Sequence, residues 1–162
     1  MTVRQARPDD AAQIAVITNA IIRDTLVTFT TDERSAEAIA KDIRARGPSF
    51  LVAEDQGQVL GFATYGVFRN GPGYANTREH SIQLAEGARG KGIGRALMTE
   101  LEAAARADGV HVLVAGISSA NPSAIAFHEA IGFQRVGLMP EVGFKWGQWL
   151  DLVLMQKILR AE

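Results

Sequence analysis

Apolar positions recur along the chain with two periods, and the switches between them mark out the elements. Residues 2–7 set Val3 and Ala6 among polar neighbours and stop at Pro8, which predicts a short strand. Asp9 or Asp10 then caps a helix that carries Ala12, Ile14, Ala15, Ile17, Ile21 and Ile22 on one face and ends near Asp24. Residues 25–31 are β-branched and aromatic yet too polar for a fully buried strand, so they read as an ordered loop or an edge. A second helix follows over 35–46, with Ala36, Ile39, Ala40 and Ile43 on its apolar face and Gly47-Pro48 as its stop. Segments 50–54 and 59–65 are strands joined by a turn at 55–58. The span 66–78 is rich in glycine and asparagine, a loop long enough to carry function.

The next stretch organises the rest. Ile82 and Leu84 alternate in a strand that gives way at Glu86-Gly87 to a glycine-spaced loop. That loop opens directly into the helical pattern Ile93, Leu97, Met98 and Leu101, a helix that ends at 108–109. Residues 110–115 are nearly all apolar, as in a strand buried on both faces, with His111 a structural residue on its edge. Asn121 caps and Pro122 opens a fourth helix, which runs to Ala130 and closes at Gly132. Strands over 133–139 and 149–159 finish the chain across a link at 140–148. The order β-α-α-β-β-β-α-β-α-β-β predicts an α/β fold, a mixed central sheet of about seven strands with four helices and a βαβ unit around the glycine loop. At 162 residues, without an internal repeat or linker, the chain reads as one domain over 1–162.

Gly90, Gly92 and Gly94 leave backbone amides uncovered where a helix begins, with N–H groups unpaired and the macrodipole positive. Arg89, Lys91 and Arg95 add cations around them, so the loop suits a phosphate-bearing ligand. A magnesium-binding phosphate loop needs Ser or Thr after Gly-Lys, but Gly92 follows Lys91. A dinucleotide fingerprint needs its third glycine one residue beyond Gly94 and belongs near the first strand of its fold. What remains is R-x-x-G-x-G over 89–94, which resembles the pyrophosphate loop of the GCN5-related N-acetyltransferases, whose cofactor is acetyl-coenzyme A.

Composition removes other classes. A net charge of −1 gives no overall bias toward nucleic acid or anionic membrane, so anion affinity must be local. No apolar run approaches the ~20 residues of a membrane span, and the N-terminus lacks a signal-peptide core, which predicts a cytoplasmic protein. With no cysteine, disulfides, thiolate metal sites and a cysteine nucleophile are excluded, and no metal is expected.

The resemblance extends to nearly the whole chain. Segments 25–30 (TLVTFT), 74–81 (YANTREHS), 89–95 (RGKGIGR), 114–121 (VAGISSAN), 128–133 (HEAIGF) and 139–151 (MPEVGFKWGQWLD) look like the phosphinothricin and methionine sulfoximine acetyltransferase branch. That branch acetylates the α-amino group of small amino-acid analogues and is dimeric. The resemblance implies that the strand before the glycine loop and the strand after helix three splay apart around the pantetheine arm. It places pantetheine against Ile82, Gln83 and Leu84, with the Leu84 amide on the thioester carbonyl. It places the pyrophosphate on Arg89, Gly90, Lys91, Gly92, Ile93, Gly94 and Arg95.

Asn121 matches a residue near the cofactor sulfur and is also a helix cap. Glu79 is the candidate base for the incoming ammonium, through water, and His80, its neighbour on the opposite strand face, orients a neighbour or packs. His128 stands where many relatives have a tyrosine general acid, and it either donates a proton or is a satisfied helix histidine. For the substrate, Pro72, Gly73 and Tyr74 match the contacting stretch. Arg69 and Arg78 are cations suited to a carboxylate or phosphinate. Thr28, Phe29 and Phe68 either wall the pocket or pack their loops. The aromatic, glycine-rich link at 140–148 is a candidate dimer and pocket-closing element, and a homodimer is expected.

Three rival readings compete. Residues 116–120 nearly spell a hydrolase nucleophile elbow but end in Ala120. A non-catalytic acyl-coenzyme A sensor would keep the loop, and a peptide or protein N-acetyltransferase would need an open groove.

Overall fold

A computed structural model describes residues 1–160; the last two positions of the expected domain lie outside the described residues. The elements run β1 (Thr2–Gln5), α1 (Ala11–Asp24), α2 (Ala36–Arg46), β2 (Phe50–Asp55), β3 (Gln58–Val67), β4 (Thr77–Leu84), α3 (Ile93–Ala107), β5 (Val112–Ser118), α4 (Pro122–Ala130), β6 (Gln134–Lys145) and β7 (Gln148–Ile158). Their order is the one the hydrophobic periods predict. They form one seven-stranded sheet in the order β1-β2-β3-β4-β5-β7-β6.

Strand alternation sends apolar side chains to both faces, and each face is covered by helices. On β2, Leu51 and Ala53 join Leu97, Met98 and Leu101 of α3, while Phe50 and Val52 join Ile14 and Ile39 of α1 and α2. Helix starts follow the caps: Ser35 accepts from the Ala38 amide at α2 and Asn121 from the Ala124 amide at α4.

One feature of the sheet creates the site. β4 and β5 are parallel neighbours over three pairs only, from Thr77 with Val112 to Glu79 with Val114. Beyond them β4 stays paired with β3 as far as Leu84, and β5 stays paired with β7 as far as Ser118. The two strands therefore diverge, as the resemblance implied.

The structure corrects several boundaries. β5 runs to Ser118 rather than stopping at 115, because Gly116 and Ser118 pair with β7 despite their weak strand propensity. His111 precedes β5 and is exposed, not on a buried edge. The link at 140–148 is mostly strand: β6 continues to Lys145 and turns at Trp146-Gly147, both with positive φ (51° and 75°), a two-residue hairpin. Pro140 hid this from the sequence. An edge strand tolerates proline at an irregularity, and β6 is an edge whose register shifts between Met139 and Gly143 around Glu141 at φ 58°.

Candidate active site

The divergence of β4 and β5 opens a groove of about 520 Å³. One end is the glycine loop. Gly92 caps α3 with φ 80° and no side-chain hydrogen bond, so the first-turn amides of α3 have no internal acceptor there. Gly90 has φ 77°, another left-handed position natural to glycine. Gly94 is needed for a different reason, since a Cβ there would stand 3.3 Å from the Phe127 ring of α4. Arg89, Gly90, Gly92, Ile93, Gly94 and Arg95 border the groove, whereas Lys91 does not.

Along the groove's length Ile82, Gln83 and Leu84 form one wall and Asn121 stands across from them. The Ala85 amide donates to Leu60 O of the β3 side at 2.8 Å. Successive strand amides point to opposite edges, so the Leu84 N–H faces the gap. Asn121 Oδ1 is engaged by the Ala124 amide and by Ser123 Oγ, which makes it a working cap.

Just beyond the other end stands Glu79, in the last β4–β5 pair; it does not itself border the groove but reaches Gly116, which does. Its Oε2 lies 3.2 Å from where a Cβ of Gly116 would sit, beside Leu152, so the absence of a side chain at 116 makes room for the carboxylate. Partial burial holds its proton affinity above the usual carboxylate range. Tyr74, Arg69 and Phe68 lie in the β3–β4 loop just beyond this end. The Arg69 guanidinium is 5.4 Å over the Tyr74 ring, and the Phe68 and Tyr74 rings meet edge-on at 6.1 Å. Pro72, Gly73 and Tyr74 form one 3-10 turn, exposed and outside the groove itself. Arg78 is not with them. Strand alternation turns it toward the opposite face, where its charge acts on Tyr65 and its Nε is buried without a partner.

His80 and His128 both border the groove, buried, with Nε2 atoms 2.9 Å apart. His128 Nδ1 is 2.7 Å from Ala124 O, which can only accept, so Nδ1 carries the proton and the neutral ring's Nε2 is an acceptor. The shared proton is therefore on His80 Nε2, which leaves His80 Nδ1 buried with no partner. Burial and the neighbouring ring push His80 down to about 3, and burial also lowers His128. Both are neutral near pH 7.

Sequence reasoning missed Phe127 and Lys145, and weighed Ser118 only as the serine of a nucleophile elbow. Ser118 Oγ donates to Leu26 O at 2.8 Å, a tether rather than a nucleophile. Lys145, on the stretch read as a link, is almost wholly buried. Among the described residues no cluster of histidine and carboxylate side chains could hold a metal, and no helix is long and apolar enough to cross a membrane.

Comparison with known proteins agrees with this geometry. The model of the acetyltransferase (GNAT) family matches residues 16–133. An L-methionine sulfoximine/L-methionine sulfone acetyltransferase of Salmonella typhimurium is 40% identical over 161 residues, 96% of this chain and 93% of that protein. A GNAT superfamily phosphinothricin acetyltransferase from Sinorhizobium meliloti, solved in complex with acetyl-coenzyme A, superposes with a TM-score of 0.91 at 38% identity, over 98% of this chain and 88% of that one. The crystal structure of a ribosomal-protein-alanine N-acetyltransferase from Brucella melitensis superposes with a TM-score of 0.93 at 40% identity, over 98% of this chain and 100% of that one.

Proposed function

Because the chain belongs to the acetyltransferase (GNAT) family, we propose that it moves an acetyl group from acetyl-coenzyme A to the α-amino group of a small amino-acid analogue such as phosphinothricin, methionine sulfoximine or methionine sulfone. The observation that carries the reading is the groove's polarity. Uncapped amides with Arg89 and Arg95 lie at one end, and a carboxylate with raised proton affinity stands just outside the other, against Gly116 of the groove wall. A coenzyme A diphosphate on the glycine loop would run its thioester arm along Ile82, Gln83 and Leu84, toward Glu79.

Acetyl-coenzyme A supplies the activated acyl group. The chain has no cysteine to take it up, and transfer is direct. Glu79 accepts a proton from the incoming ammonium, and its raised proton affinity makes it a better base than a solvated carboxylate. The amine then attacks the thioester carbonyl while the Leu84 N–H stabilises the developing oxyanion. The departing thiolate takes up the proton that the attacking nitrogen sheds as the amide forms; His128 borders the same groove, but its own proton is held by Ala124 O and its Nε2 accepts from His80. Arg69, stacked on Tyr74, is suited to the acceptor's carboxylate or phosphinate, while Phe29 does not border the groove and acts by placing Val27 and Thr28, which do. The protein acts as a single domain over 1–162, in the cytoplasm.

We also assign a homodimer. Val136, Leu138, Val142, Phe144 and Trp149 of the β6–β7 hairpin are all more than half exposed, a concentration of apolar side chains on one edge of the sheet that suits a second copy.

The Brucella melitensis neighbour supports a second reading, transfer to a peptide N-terminus. Thiol release measured with amino acids, methionine sulfone, methionine sulfoximine, phosphinothricin and short peptides separates the two. Turnover of the small acceptors is expected, and reaction with peptides alone overturns the small-molecule assignment. Binding of acetyl-coenzyme A without turnover of any amine marks a sensor instead.

A further inference from the structure

Lys145 is only 1% exposed, although taking an ammonium ion out of water is costly. No carboxylate pairs with it among the described residues. Its Nζ instead donates to Ile22 O at 2.7 Å, to Thr28 O at 3.2 Å and to Thr28 Oγ1 at 3.4 Å, and lies 4.9 Å from the Trp146 ring centre. Ile22 is in the last turn of α1, whose carbonyls lack helical partners and form the negative end of the macrodipole. Lys145 thus caps α1 from a strand over a hundred residues away and ties that cap to the connector leaving it.

The connector is held at two further points. Ser118 Oγ of β5 donates to Leu26 O at 2.8 Å. Gly143 of β6 receives the Phe29 ring so closely that a Cβ would lie 2.6 Å from Phe29 Cδ2. Between these tethers Val27 and Thr28 face the groove, while Gly143 and Lys145 do not border it. Residues 26–29 form no helix or strand, so their placement depends on such contacts from outside.

We propose that Gly143 and Lys145 are positioning residues. Through Phe29 and Thr28 they fix where the 25–31 connector stands, and so how large an acceptor fits between it and Glu79. The proposal rests on the amino-acid acceptor reading and adds to it a specificity determinant outside the groove. β6 is thereby both the exposed apolar edge and the support of the groove wall.

Gly143→Ala keeps every hydrogen bond of Lys145, and the residue has no left-handed φ to strain, so the variant disturbs only the seat of Phe29. It should raise the KM for methionine sulfone about tenfold and reorder preference among acceptors of different size, as displaced positioning groups do. The dissociation constant for acetyl-coenzyme A by calorimetry should stay at the wild-type value. Lys145→Met should act in the same direction and speed hydrogen exchange at amides 26–29 while leaving that of the 89–95 loop unchanged.

An unchanged acceptor KM in Gly143→Ala overturns the proposal. So does a parallel fall of kcat, cofactor affinity and melting temperature, which marks a structural role only. Should the wild type turn over no amino acid, the functional reading fails, and the exchange comparison still decides the tether. Unaltered exchange at 26–29 in Lys145→Met refutes it.

Discussion

The Nε2 atoms of His80 and His128 stand 2.9 Å apart in the buried wall of the groove, one proton between them. Folding therefore holds two imidazoles neutral that would protonate in the unfolded chain. His80 falls to about 3 in the folded state against about 6.5 when unfolded. Between those values the unfolded chain binds more protons, so stability is full above about pH 6.5 and is lost as pH falls below it. Chemical denaturation should show a loss of about 2 kcal/mol between about pH 6.5 and pH 5, at 1.36 kcal/mol per unit. His80→Leu/His128→Leu should flatten this slope. An equally steep slope in the double variant would place the acid sensitivity elsewhere.

As the proposed base, Glu79 meets the opposite demand, since its carboxylate must be ionised to accept a proton. Its affinity for that proton is raised by burial, so kcat/KM should decline as pH falls through a value above the ordinary carboxylate range. Glu79→Gln should lower kcat about 10²- to 10⁴-fold, the range typical of a lost general base, and remove that limb of the profile. Calorimetry should give unchanged acetyl-coenzyme A binding. A variant with near wild-type turnover would remove Glu79 from the chemistry.

The glycine loop at one end of the groove was legible in the sequence because it rests on local chemistry, and so was the strand that carries Glu79. A glycine-spaced helix start needs no tertiary contact to be recognised, and Glu79 falls near the start of a strand whose period is plain. The histidine pair was not legible. Residues 80 and 128 are brought together by packing of α4 against β4, and neither position signals the other. Lys145 was hidden for a related reason, because a lone lysine in an aromatic stretch reads as a solvated charge until Ile22 and Thr28 are seen around it. β6 was cut short at Pro140 since strand propensity is a packing property and an edge with shifted register tolerates what a central strand does not.

Gly92 separates backbone geometry from side-chain packing. A Cβ there meets nothing within 4 Å, yet its φ of 80° is a left-handed conformation costing about 1–2 kcal/mol for other residues. Gly92→Ala should relieve that strain by moving the loop, and acetyl-coenzyme A affinity should fall about tenfold, the equivalent of about 1.4 kcal/mol. The acceptor's KM at saturating cofactor should stay near wild type. Undiminished cofactor affinity would mean that the diphosphate is gripped by the arginines alone.

Trp149 and Phe144 pack on each other at 4.6 Å between ring centres, and each is more than half exposed on the β6–β7 hairpin. Each ring shields the other only in part, which leaves apolar area that a second copy can cover. Trp149→Asp places a charge on that area without opening a cavity, so the fold should persist while association is lost. Sedimentation equilibrium should return twice the 17.4 kDa chain mass for the wild type and the single-chain mass for the variant. Because Lys145 joins the same hairpin to the connector at Thr28, the monomeric variant should also show a raised acceptor KM. A variant that remains dimeric would assign the apolar hairpin to another partner, and a wild type already at single-chain mass would remove the dimer.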